Sequence, residues 1–490
     1  MNRKRVITVI ALVAVLAVAA AVLTACDVYS WNSIGMGDSS ANVVSNGGYY
    51  VEQGNYVYFI NGYVGSVTSN EWGGAYKQSI MRAEKNEDGT INNDTAQVVV
   101  PLSIYNEYTS GGIAVFGDWI YYATPNTNED TTGTASTTYT DFMRTRTDGA
   151  ITQRIATVDS RSSQYLFTPT RILYTTDSST VRYVDFSGMD TGKSIDNGKG
   201  ATAGVLIENA DSIMWGYDSD WSASVTGTVS EYIFYTEKIT GDDSYRHYNN
   251  LCCIKYDGSD KRVLATYDSW FEEGDTISGN YDKVFTYKLL DIYYESDTEV
   301  TLYYTKSIYE NSASSEVGLY CNTFNVESGF SVNNEAKLTE SAPETFFPLG
   351  KDNGILATKS SNVYRVTADS KGYTDENLII GAARSAKVQA VIGDYVYYTD
   401  SNGTALYRIN LVQNVGDSVN EKAIVSAGLK SDWLELEFVG TNVVWFNTDD
   451  YSYLYVKNLD NADDEGSMIG KMTQEDADAK AEAEKEEDAE

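Results

Sequence analysis

The sequence predicts an all-β protein: a β-propeller of about eight four-stranded blades, or seven if one thin repeat forms no blade. A targeting segment precedes it and an acidic tail follows it. Three observations carry this reading. A hairpin pattern recurs along most of the chain, its copies stand 41 to 69 residues apart, and 39 Tyr, 39 Gly and only five Pro in 490 residues suit many strands joined by tight turns.

The least interrupted copy is at residues 390–411. Two alternating runs, 391–399 and 405–411, flank a turn made of Asp400, Ser401, Asn402, Gly403 and Thr404. Eight strand cores align with it, beginning at Tyr58, Tyr121, Leu173, Phe234, Tyr303, Leu356, Tyr397 and Val444; the Leu356 repeat is the thin one. Several cores follow a Gly-Asp or Gly-Thr turn, as at Gly117-Asp118, Gly393-Asp394 and Gly440-Thr441. Others lead through another strand to an acidic turn, Asp148-Gly149 or Asp257-Gly258, and then to a further apolar strand such as residues 262–265. Each repeat therefore supplies four strands. A four-stranded sheet alone cannot bury both of its faces, whereas radial stacking buries each sheet against the next and leaves only short edges. Tyr suits such strands because its ring packs on the pleated surface while its hydroxyl can reach water.

The cores resemble the YWTD motif of the propellers in the low-density-lipoprotein-receptor family, and more closely the bacterial lipoprotein-type propellers grouped with them as a domain of unknown function. Tyr397-Tyr398-Thr399-Asp400 matches best, with Tyr where the motif has Trp, and is followed by Leu406-Tyr407-Arg408-Ile409-Asn410. The resemblance covers about residues 47–460 and implies a propeller. The chain departs from the receptor family in having eight repeats against six and in its frequent loss of the motif Asp, so the family's ligand specificity is not carried over.

Arg3, Lys4 and Arg5 followed by the apolar run 6–22 form the targeting segment, which stands outside the fold. Leu23-Thr24-Ala25-Cys26 resembles the lipobox of bacterial lipoproteins. That resemblance implies a signal peptide of residues 1–25, diacylglycerol on the Cys26 thiol, and a protein held at the bacterial cell envelope, facing outside the cytoplasm. Two or three acyl chains anchor stably where one is marginal. The polar residues 26–46 read as a lipidated tether, residues 47–460 as the propeller, and residues 461–490 as the tail. Within that tail, residues 463–490 hold 12 acidic and three basic groups. Loss of residues 1–25 would move the net charge from −34 to −37, which argues against nucleic acid as a partner because its phosphates would be repelled.

Candidate chemistry is thin. The one histidine, His247, cannot build a multi-histidine metal site, and it lies in a polar stretch that reads as an exposed loop. Cys252 and Cys253 should point to opposite faces of a strand; either one of them bridges to Cys321 in the next repeat or all three are buried free thiols, the reading preferred here. No Cys-x-x-Cys spacing suggests zinc. Asp218 with Asp220, residues 126–130, and Asp449 with Asp450 could offer oxygens to calcium, but none has EF-hand spacing and solvated turns explain them better. Trp72, Trp215, Trp221 and Trp270 fall in or near stretches rich in Gly, Asp and Ser, and are the ligand-facing candidates. Rings beside carboxylates suit sugar or peptide surfaces. The expected function is a binding or scaffolding module for a protein or cell-envelope glycan, without a cofactor. One rival is a propeller enzyme, a glycan hydrolase or lyase using loop carboxylates and Tyr; another is a purely structural envelope component. No converging acid, base and positioning set singles out catalysis.

Overall fold

The computed structural model describes residues 34–38 and most of 48–470; not described are 1–33, 39–47, 471–490 and the connections 62–78, 102–111, 126–138, 160–164, 176–178, 193–197, 215–227, 241–246, 268–282, 311–312, 370–372, 374–376, 412–421, 427, 430–435, 448–452 and 462–463. Eight four-stranded sheets follow one another along the chain, at residues 50–100, 113–159, 165–207, 210–265, 283–339, 345–380, 387–425 and 437–469. Each is an antiparallel meander of contiguous strands, as in blade 1, where Tyr50–Gln53 pairs with Tyr56–Ile60, that with Ile80–Lys85, and that with Ile91–Val100. First strands of successive blades lie against one another, in blades 1 and 2, 4 and 5, and 5 and 6, so the first strand of each blade is the inner one. The first strands of blades 8 and 1 are likewise in contact, which closes the ring.

The thin repeat is a full blade. Its second strand, Ile355–Lys359, has lost the aromatic residues of the other cores, yet Ile355, Leu356 and Ala357 are all buried between neighbouring blades. Volume there is filled by Phe346, Phe347 and Leu349 instead.

Connectivity sorts the connections onto two faces. First-to-second and third-to-fourth strand turns share the lower face; second-to-third connections and the crossings to the next blade share the upper one. Three lower turns use the predicted Gly: Gly117, Gly393 and Gly440 have φ of 55°, 57° and 59°, and no neighbouring atom lies where a Cβ would stand, so it is the backbone angle that favours glycine.

Most core clusters lie between blades. Phe142, Tyr165, Phe167 and Tyr174 meet between blades 2 and 3, and Tyr232, Phe234, Tyr287, Tyr304 and Phe324 between blades 4 and 5. The tyrosines of the repeat are core residues: Tyr58, Tyr122, Tyr235, Tyr303 and Tyr398 are fully buried. Several tyrosine hydroxyls end on an acceptor in the next blade rather than in water, as Tyr49 Oη on the Val444 carbonyl (3.0 Å) and Tyr303 Oη on the Gly354 carbonyl (3.3 Å). A further device recurs within blades. Arg82 lies over the Tyr56 ring, Arg144 over Trp119 and Arg408 over Tyr395, each about 4.5 Å from ring centre, while blade 3 exchanges the two partners and sets Arg171 over Tyr183.

The seam between blades 8 and 1 is made by a buried carboxyl group. Glu437, on Glu437–Val439, accepts the backbone N–H of Tyr49 and, at 3.1 Å, that of Tyr50. Burial pushes this carboxyl up to about 8, against the pull of the two N–H donors.

Two boundaries differ from the compositional expectation. Ser467–Ile469 forms the outer strand of blade 8 although it lies within the stretch assigned to the tail; Met468 and Ile469 supply a short pairing segment that the surrounding acids mask in any composition window. Residues 34–38, expected to be tether, lie against the lower face. Arg82 donates to the carbonyls of Ile34 (3.0 Å) and Gly35 (2.8 Å), and Gly37 N donates to Thr147 Oγ1 (3.1 Å).

Candidate binding face

Among the described residues, the strands of blades 4 and 5 reach highest on the upper face. In blade 7 the strand Tyr395–Thr399 ends at the Thr of its core, whereas the equivalent strands run on to Thr240 in Tyr232–Thr240 and to Glu310 in Glu299–Glu310. Four and five extra residues raise these edges by about 13 and 17 Å at ~3.3 Å per residue. The partners follow them up: His247–Lys255 pairs along the whole of Tyr232–Thr240, and Lys283–Ser296 and Ala313–Asn325 do the same for blade 5. A stretch read as a polar loop around His247 is thus partly strand. His247 pairs with Thr240 at the crest of blade 4.

The inner wall of this raised rim is a fixed polar network. Asn249, fully buried, uses its amide like a strand backbone: its Oδ1 accepts from Tyr287 N and its Nδ2 donates to the Tyr287 carbonyl, both at 2.7 Å. The same Nδ2 reaches Asp211 Oδ2 at 3.0 Å, and Asp211 Oδ1 lies 3.3 Å from Lys238 Nζ. Asp211 and Lys238 keep about a third of their side chains exposed, so carboxylate and amine face solvent side by side from a rigid support. Ser212 Oγ bonds Thr236 Oγ1 (2.8 Å) and accepts from Leu289 N (3.2 Å), tying the inner strands of blades 4 and 5 together. On the outer side the buried Tyr248 backs the half-buried Tyr267, with ring centres 4.5 Å apart and planes tilted by 30°. Tyr267 N is held by Asn250 Oδ1 at 3.2 Å. An acid and an amine on stiff strands, with a braced ring nearby, are groups that hold a sugar or a peptide.

Of the residues singled out from sequence, Trp72, Trp215, Trp221, Trp270 and Cys26 lie outside the described residues, as do the calcium candidates Asp218, Asp220, residues 126–130, Asp449 and Asp450. The strand ends do separate the tryptophan-bearing connections. Those carrying Trp72 and Trp270 start and end on the upper face; the one carrying Trp215 and Trp221 joins Ala210–Met214 to the second strand of blade 4 and is anchored on the lower face. Among the described residues no group of three or more His, Cys, Asp or Glu is placed to hold a metal ion.

Cys252, Cys253 and Cys321 are buried free thiols. Strand alternation explains why: Cys252 faces the blade 3–4 interface, Cys253 the blade 4–5 interface, and Cys321 the far side of blade 5, in the 5–6 interface. Burial pushes each thiol up to about 12. A second buried cluster lies in blade 5, where Lys306 pairs with Glu335, Glu335 Oε2 accepts from Tyr304 Oη at 2.6 Å, and Lys306 Nζ sits 4.3 Å from the centre of the Tyr320 ring. These groups are packed between blades and bind the fold rather than face outward.

Tyr248, Tyr267, Asp211 and Lys238 were not among the residues that sequence reasoning picked. The signal available was the alternation running beyond the core in residues 232–240 and 247–255, which marks long strands where shorter repeats turn.

No family model matches the chain, and no curated protein matches it. Among solved structures it is similar to apo AztD from Citrobacter koseri, at a TM-score of 0.37 and 10% identity over 85% of this chain and 94% of that one. It is also similar to the polysaccharide lyase Uly1, at 0.36 and 10% over 74% and 88%, and to the uncharacterized protein lmo1340 from Listeria monocytogenes EGD-e, at 0.32 and 9% over 72% and 91%. At these identities and overlaps the likenesses carry no statement about activity; what stands is that the chain is an eight-bladed β-propeller.

Proposed function

We propose that the protein is a lipid-anchored, extracytoplasmic propeller, of the bacterial lipoprotein kind that resembles the YWTD propellers, and that it works as a binding module for a protein or cell-envelope glycan. The observation that carries the binding reading is the raised rim of blades 4 and 5, where Asp211 and Lys238 are presented on strands and Tyr267 stands in the turn after Arg262–Ala265, braced by the buried ring of Tyr248. The lipobox-like Leu23-Thr24-Ala25-Cys26 supports the anchor.

Purified protein from residue 27 onward is to be titrated against isolated envelope glycans and against envelope proteins. Saturable binding that Asp211→Ala and Tyr267→Ala each weaken by about tenfold, the loss of one good polar or stacking contact, supports the reading. Binding untouched by both changes would place the ligand elsewhere, and new reducing or unsaturated ends appearing in the glycan would establish a hydrolase or lyase instead. For the anchor, Cys26→Ser should move the protein from the membrane to the soluble fraction; an unmodified Cys26 in the mature wild-type chain removes the lipid.

A further inference from the structure

We propose that residues 34–38 are a strap that fixes how the propeller sits on its membrane, with the lower face turned to the lipid and the rim of blades 4 and 5 held farthest from it. The proposal rests on the lipid at Cys26. The strap itself is in the structure whether or not that lipid is there.

The segment runs inward across the lower face between blades 1 and 2. Ile34 N donates to the Asp148 carbonyl (3.1 Å) at the third-to-fourth strand turn of blade 2, toward the outer edge. Arg82 then gathers three carbonyls, those of Ile34, Gly35 and Thr147, at 2.8 to 3.0 Å. At the inner end Asp38 lies over the first turn of blade 1, where a Cβ on Gly54 would stand 2.2 Å from Asp38 Oδ2. Gly37 has no room for a side chain, because a Cβ there would be 2.2 Å from Tyr58 Oη. Ile34 packs on the core cluster that spans blades 8, 1 and 2. Arg82 is 7% exposed and stacked on Tyr56, so release of the strap would leave a buried guanidinium without two of its carbonyl acceptors. A free tether has none of these contacts.

Geometry then orients the ring. Eight chain steps separate Cys26 from Ile34, so the lower edge of blades 1 and 2 stands no more than about 28 Å from the lipid surface. In a ring of eight, the boundary between blades 1 and 2 is opposite that between blades 5 and 6. The raised rim therefore lies diagonally across from the strap, on the other face and about three-eighths of a turn away.

Two measurements test this. Hydrogen exchange on the chain from residue 27 needs no lipid: the amides of Ile34 and Gly37 should be protected in wild type and lose that protection in Gly37→Val, with the blade amides unchanged. Free exchange of both amides in wild type overturns the strap. Lipidated protein in phosphatidylcholine vesicles, carrying a donor dye at Glu87→Cys on the lower face or Ser401→Cys on the upper one, is then read by energy transfer to an acceptor lipid. Transfer retained from position 87 and lost from position 401, with the contrast abolished by Gly37→Val, is the expected result. Equal transfer from both positions in wild type overturns the orientation. An unmodified Cys26 removes the membrane from the proposal and is seen separately by mass, leaving the strap to the exchange data.

Discussion

Replacement of Glu437 by Gln should change how stability depends on pH. In the folded ring this carboxyl keeps its proton up to about pH 8 because burial outweighs the two backbone N–H donors. In the unfolded chain it loses the proton near the ordinary 4.5. Between those values the native state holds the extra proton, so its stabilisation is complete below 4.5, falls as pH rises, and is gone above about 8. The slope is about 1.4 kcal/mol per pH unit, on the order of 5 kcal/mol across the window. Gln keeps one carbonyl for one N–H and turns an amide donor toward the other, which costs about 1–3 kcal/mol at every pH but titrates nothing. Wild type should therefore melt higher than Glu437→Gln at pH 5 and lower at pH 9. At ~2 cal/mol/K per residue, 5 kcal/mol in a chain of this size is about 5 °C. Thermal unfolding of both proteins from pH 4 to 9 makes the comparison, and the difference curve cancels the acidic tail and every other titrating group. Two curves that stay parallel across the window would refute the reasoning.

Other outcomes follow from the packing. Iodoacetamide at pH 8 should leave Cys252, Cys253 and Cys321 nearly unmodified in the native protein and modify all three in denaturant, as counted by mass, since burial holds their pKa near 12. Lys306→Met strands the Glu335 carboxylate between blades and should cost about 3–5 kcal/mol by denaturant unfolding, with Glu335→Gln added to it restoring part of the loss. Gly354→Ala, at a φ of 76° with a Cβ 2.0 Å from the Val366 carbonyl oxygen, should lower the melting temperature more than Gly393→Ala, where only the backbone angle of 57° opposes it at about 1 kcal/mol.

The fold was legible because its unit is local. A hairpin and its flanking strands announce themselves within about 40 residues, so the cores from Tyr58 to Val444 could be aligned despite connections of every length, and all eight are blades. Even Leu356 kept its apolar run. What escaped were two contacts between distant parts of the chain, Glu437 reaching Tyr49 and residues 34–38 lying on Arg82 and Thr147, and one short local strand, Ser467–Ile469, hidden among acids. The first two join residues far apart in the chain, which no window of sequence contains, and the third pairs locally with Tyr453–Asn458 but is masked by its acidic neighbours. The Arg–aromatic pairs could have been read, since an aromatic stands two residues before Tyr58, Tyr121 and Tyr397, but only the exchanged pair Arg171–Tyr183 makes their reason plain. For the binding surface, Trp and acidic turns were the conspicuous residues, while the rim is built from ordinary Tyr, Asn and Lys whose meaning comes from strand length.

Every blade takes its four strands from one unbroken stretch, and no strand is lent across the seam. The join between blades 8 and 1 thus keeps the inner-strand contact seen at other joins, with the Glu437 carboxyl holding Tyr49 and Tyr50 where no peptide bond runs through it. Such a ring has no privileged starting point. New termini cut into the upper-face crossing between blades 6 and 7, with the old ends linked, should leave all eight sheets whole, and a duplicated repeat would alter the circumference without rewriting any blade. The chain is best regarded as a necklace whose clasp, Glu437, could have been set between any two beads.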